Sequence, residues 1–180
     1  PGKPTWWLSV DAKSSKTTAR GAKVSAVKQQ GRGLRFSVKE DSPPSLSPPA
    51  EGKIHDNLVA TRDTLVVSNL APGQYLLTVD GQPVAEGSHQ RWAEGVAVDS
   101  SPAHLQLEDY RERINDKNLQ FTYSWKALNQ VHIVGERKAS PSGRSLPAEI
   151  IEFNELATGK EKNLGITIKP RTSEWILVPE

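Results

Sequence analysis

At 180 residues the chain is long enough to bury a hydrophobic core and to fold as one domain. Its formal charge of +2 hides nine Lys/Arg against two acids in residues 1–40 and 14 against 19 in the rest. Yet Lys13, Lys16, Arg20, Lys23 and Lys28 are scattered among Ser, Thr and Ala without interleaved aromatics, which speaks for solvated faces and against nucleic acid. The absence of cysteine excludes a disulfide framework, a thiol nucleophile and a thiolate metal site, and no apolar run approaches the ~20 residues of a membrane helix, so no membrane insertion is expected.

Trp6, Leu8 and Val10 alternate and predict a half-buried strand. A weaker strand candidate follows at Val24 to Val27, and Gly31-Arg32-Gly33 turns the chain into the alternating Leu34 to Val38. Asp41 to Gly52 contains four prolines, which fix φ and remove backbone donors, and reads as a rigid extended loop within the domain. Leu65-Val66-Val67, the turn signal Pro72-Gly73 and the alternating Tyr75 to Val79 predict a β-hairpin that continues through Asp80-Gly81 into a short edge strand at Gln82-Pro83-Val84.

Beyond Val98 the period changes. Ser101 caps and Pro102 opens a long predicted helix carrying Leu107, Tyr110, Ile114, Phe121, Trp125 and Leu128, against an alternative in which Phe121, Tyr123 and Trp125 alternate as a strand. Val131 to Gly135 is strand-like or a short continuation, Lys138 to Arg144 a polar loop, and a second, shorter helix is predicted from Pro147 to Gly159, followed by extended segments at Ile166, Ile168 and Trp175 to Val178. The expected fold class is α+β, mostly β: an antiparallel β-meander or sandwich-like layer with one long and one short helix toward the C-terminus. A single β-rich domain is expected, its meander part over residues 1–99 with the Pro-rich loop at 41–52, and its helix-containing part over 100–180.

The chemistry-bearing residues do not assemble into a known motif. His55, His89, His104 and His132 lack metal-ligand spacing, and His55-Asp56 are neighbours that a strand would point to opposite faces. No Gly-x-Ser-x-Gly or Gly-Asp-Ser block presents a serine nucleophile, and Gly31-x-Gly33 opens a strand where a phosphate cradle opens a helix. The reading therefore assigns no catalytic residue, metal ligand or cofactor. Tryptophan is the remaining lead. Trp6 and Trp7 cannot both face inward from one strand, so Trp6, Trp7 and Trp92 are taken as a candidate interaction surface, although core packing is the simpler role for Trp92, Trp125 and Trp175.

Several blocks fall in a telling order: Phe36 to Pro44, Leu65 to Leu70, Pro72 to Gly81, Gly95-Val96, Ile133 to Arg137 and Ala148 to Leu156. In that order the chain resembles the C-terminal region of planctomycete-type SGNH/GDSL hydrolases, in which a catalytic α/β domain precedes a β-rich region. The resemblance implies an accessory portion of a secreted or periplasmic ester hydrolase, whose nucleophilic Ser and Asp-x-x-His pair would lie before Pro1. Its implied partner is that upstream catalytic domain of the same polypeptide. The start at Pro1 and the lack of methionine fit a piece of a longer chain. The Ser/Pro/Gly-rich Lys138 to Arg144 departs from the family's usual loop. The competing expectation is an independent carbohydrate-binding or adhesion-like β module using exposed tryptophan.

Overall fold

The computed structural model describes residues 4–44, 62–129, 141–164 and 169–180, the side chains of 124–129 and 142–147 excepted. The chain separates into two compact units, Pro1–Leu107 with Ile168–Glu180, and Glu108–Thr167. One domain with an internal division after residue 99 was expected; the division falls at 107, and the C-terminal segment returns to the first unit.

The first unit is a β-sandwich. One sheet holds β1 (Trp7–Asp11), β2 (Thr17–Arg20), β5 (Thr64–Ser68) and β8 (Val96–Ala97) in the order β2-β1-β5-β8. The other holds β3 (Ala22–Gln30), β4 (Gly33–Glu40), β6 (Gln74–Val79), β7 (Gln82–Ser88) and β9 (Thr172–Pro179) in the order β3-β4-β9-β6-β7. Among the described residues every pairing is antiparallel except β1 with β5, where Leu8 lies beside Leu65 and Val10 beside Val67. The period-2 pattern does what it predicts: Leu8, Val10, Leu65 and Val67 from one sheet bury against Leu34, Phe36, Val38, Tyr75, Leu77, Trp175 and Leu177 from the other. Trp6 meets Trp175 edge to face, with ring centroids 5.6 Å apart, an arrangement that adds about 1 kcal/mol to the burial itself. The fold is thus α+β and mostly β, as expected.

The hairpin expected across Pro72-Gly73 is not one. β5 and β6 belong to different sheets, and the segment between them crosses the end of the sandwich. Leu70 is buried there, Tyr75 donates its hydroxyl to the Ala71 carbonyl at 2.9 Å, and Asn69 takes φ 60° while its amide reaches Asp11. Both strands turn their apolar residues toward the same core, which two strands facing each other across a sandwich do as well as two neighbours in one sheet. The hairpin of this region is β6 with β7, reversed at Asp80 (φ 50°) and Gly81 (φ 81°), both in the left-handed conformation that a tight two-residue turn needs. Pro83 sits on β7 at the sheet edge, where its missing donor costs no ladder bond.

Helix α1 (His89–Glu94) was not foreseen; the Ser88 hydroxyl caps it by accepting the Arg91 N–H at 3.2 Å. Helix α2 (Pro102–Asn129) follows the expected start and settles the Phe121 to Trp125 segment as helix. Helix α3 (Pro141–Leu164) is longer than the short helix expected: it begins six residues before Pro147, with Pro141 in the first position that suits proline, and runs through Gly159. Most of the expected Lys138 to Arg144 loop is therefore helix, while Val131 to Gly135, Ile166, Ile168 and most of the Pro-rich loop lie outside the described residues.

In the second unit the described part of α2 and α3 run antiparallel. Tyr110 donates to the Leu164 carbonyl at 3.3 Å, Lys160 pairs with Asp116, Lys117 stands 3.9 Å from Glu161, and the rings of Tyr123 and Phe153 are 5.8 Å apart.

Candidate functional site

The buried polar and charged residues of the first unit, Glu40, Asp63, Ser101 and His104, come from the end of β4, the entry to β5 and the start of α2. Three of them form a chain. Ser101 Oγ and His104 Nδ1 are 2.7 Å apart, and His104 Nε2 is 3.5 Å from Asp63 Oδ2. The other carboxylate oxygen of Asp63 accepts the backbone N–H of Trp6 at 2.9 Å, and its carbonyl accepts the N–H of Val98 at 2.9 Å. The cluster ties β1, β5, β8 and α2 together at one end of the sandwich, with Arg62 and Asp99 paired at 3.1 Å beside it.

Helix geometry places Ser101 and His104 together. The Ser101 carbonyl accepts the first helical bond, from Leu105 at 3.0 Å, so His104 stands one turn on, where a capping box would carry Glu or Gln. That spacing is the one signal in the sequence that could have found the pair. Asp63 is brought to it by the tertiary fold.

Glu40 completes the cluster. Burial holds its carboxyl above the ordinary glutamate value of 4.5, the positive end of His104 pulls it back in part, and the negative charge of Asp63 raises it again. Glu40 and Ser101 line a cavity of about 20 Å³ that is also bordered by Asp80, Ser173 and Arg171, the last 3.4 Å from Asp80.

The connectivity is that of a Ser-His-Asp relay, in which one imidazole nitrogen takes the serine proton while the other is held by a carboxylate. A cavity of about 20 Å³ accommodates one water. Ser101 is itself buried. The arrangement is suited to clasping four segments.

The tryptophan surface is corrected. Trp6 and Trp92 are fully buried, Trp6 against Trp175 and Trp92 with its indole N–H donated to the Gly87 carbonyl at 3.1 Å. Trp7 is half-buried and points away from the core, because alternation along β1 assigns the core face to its neighbours. The three therefore do not form one surface. Trp125 has no described side chain, and His55-Asp56 and His132 lie outside the described residues. His89 accepts the Gly73 N–H at 3.4 Å, the limit of a hydrogen bond. Among the described residues no group of three His, Asp or Glu is placed to hold a metal ion, and no helix is long and apolar enough to cross a membrane.

No protein-family model and no curated protein matches the chain. Among solved structures it is similar to a gut microbial diltiazem-metabolizing enzyme, with a TM-score of 0.66 and 15% sequence identity over 99% of this chain. The match covers 50% of that enzyme, so the chain spans half the length of the solved protein whose fold it shares.

Proposed function

We propose that the chain is the non-catalytic C-terminal accessory portion of a secreted SGNH/GDSL-type ester hydrolase, packing on or shaping access to a catalytic domain upstream in the same polypeptide. The observation that carries this reading is the extent of the fold match: nearly the whole chain corresponds to half of a longer enzyme. The ordered blocks from Phe36 to Leu156 supply the hydrolase class. The small space at Ser101 is consistent with chemistry supplied from elsewhere, by Ser attack with His as base and an oxyanion hole. The carbohydrate-module alternative loses support with the burial of Trp6 and Trp92.

The test has two parts. The upstream coding sequence is expected to contain a Gly-Asp-Ser block and a closing Asp-x-x-His, and their absence sinks the assignment. The isolated chain is expected to hydrolyse short p-nitrophenyl esters no faster than buffer; turnover abolished by Ser101→Ala contradicts the non-catalytic role.

A further inference from the structure

One cleft in the first unit is built by three loops. It lies at the end of the sandwich opposite Glu40, between Ala12 and Lys13 after β1, the Gly31-Arg32-Gly33 turn that joins β3 to β4, and the crossing at 69–72 from β5 to β6. Its volume of about 550 Å³ falls in the range of small-molecule sites, and loops held by a rigid sandwich commonly carry binding.

The polar groups of this cleft are held in place by the protein itself. Arg32 donates to the Pro72 carbonyl from one guanidinium nitrogen, and the other nitrogens keep their donors. Gln29 donates its side-chain N–H to the Ala12 carbonyl at 3.0 Å, and Asn69 donates its own to Asp11 Oδ2 at 2.7 Å, which leaves each amide an oxygen as acceptor. Among the described residues neither Lys13 nor Arg32 is paired with an acid, and no Asp or Glu lines the cleft. Asp11, next to it, has both carboxylate oxygens engaged: Oδ1 accepts the backbone N–H groups of Lys13 and Ser14, and Oδ2 accepts the Asn69 amide.

Two cations without a carboxylate in the lining call for an anion. The Lys13 and Ser14 amides are already spent on Asp11, so the backbone N–H cradle usual for phosphate is closed here, and the planar guanidinium of Arg32 suits a carboxylate. The amide oxygens of Gln29 and Asn69 add acceptors for hydroxyl groups, and Leu70 and Pro72 give an apolar wall for a carbon skeleton. We propose that the cleft binds a small hydroxylated carboxylate, with Lys13 and Arg32 on the carboxylate and Gln29 and Asn69 on the hydroxyls. That is the chemistry of a sugar acid, free or as the acidic unit of a polysaccharide. Such binding uses no exposed tryptophan and no residue outside the first unit.

Backbone amide NMR spectra of the isotope-labelled 180-residue chain, titrated separately with D-glucuronate, trigalacturonate, glucose and inorganic phosphate, test the site. At least one of the two acids is expected to give saturable shifts in residues 12–13, 29–33 and 69–72. A response to glucuronate alone identifies a free sugar acid, and a response to the trisaccharide alone identifies a polysaccharide. Replacing both cations, Lys13→Gln with Arg32→Gln, is expected to weaken that binding about tenfold or more while the rest of the spectrum stays in place. Lys13→Gln by itself, at an exposed side chain, gives the same direction should the double variant fail to fold. No saturable shift with either acid up to about 10 mM overturns the inference. So do shifts confined to other residues, an equal response to glucose or phosphate, and binding unchanged by the substitutions.

Discussion

His104 Nε2 lies 3.5 Å from Asp63 Oδ2, both residues being buried, so each gives the other a polar partner in the interior. Removing one side of such a pair leaves an uncompensated group in the interior. Asp63→Ala is expected to cost about 3–5 kcal/mol, since the Trp6 N–H also loses its acceptor. Asp63→Asn should cost less, because an amide oxygen can still accept that bond. Urea unfolding followed by tryptophan fluorescence measures both, and a loss for Asp63→Ala below about 1 kcal/mol, the worth of an ordinary hydrogen bond, would rule out the clasp.

Glu40 gives the cluster a pH dependence of definite sign. Its folded pKa lies above 4.5, so the folded state binds its proton more readily than the unfolded chain does. The charged carboxylate therefore opposes folding fully above the folded pKa, and this cost fades as pH falls through the window down to 4.5. Glu40→Gln removes the charge at every pH. The variant should have the higher urea midpoint at pH 8, with its advantage narrowing toward pH 4.5; a gap that widens on acidification contradicts the assignment.

Two glycines with positive φ separate backbone strain from close approach. Gly81 (φ 81°) has open space where a side chain would stand, so Gly81→Ala carries only the conformational cost of about 1–2 kcal/mol. Gly21 (φ 73°) passes from β2 to β3 directly over the Thr5 backbone, and an added Cβ would land on the Thr5 carbonyl. Gly21→Ala should be much the more damaging, read as the fraction of soluble, cooperatively unfolding protein. Equal losses at the two positions would remove the close approach as the cause.

Trp92 should act as a core residue. Trp92→Phe keeps most of the apolar surface but drops the N–H donated to Gly87, for an expected loss of about 1 kcal/mol in thermal or urea unfolding. Polysaccharide is not expected to quench Trp92, which is covered; saturable quenching that Trp92→Phe abolishes would revive the carbohydrate reading.

Local patterns carried much of the fold because they report on single elements. Alternation at Leu8/Val10, Leu34/Phe36 and Tyr75/Leu77 names the inward faces, Asp80-Gly81 the tight reversal, and Ser101-Pro102 the helix start. The same alternation is silent on which sheet a strand joins, and so Leu65 to Val79 read as a hairpin when it spans two sheets. The parallel pairing of β1 with β5 has no local signature either. At the site, Ser101 and His104 stand at a legible capping spacing, but Asp63 and Glu40 arrive from distant strands, and their burial is a property of the assembled sandwich.

The last strand among the described residues occupies the middle of its sheet. β9 lies between β4 and β6, and Arg35 pairs with Glu174 across 139 residues of sequence. During synthesis, β4 and β6 therefore leave the ribosome with facing edges that only β9 can join. The sheet closes only when β9 has emerged, and such long-range closure is slow. Until then, two unpaired edges wait in the nascent chain, which makes this sheet the part of the molecule with the greatest call on a chaperone.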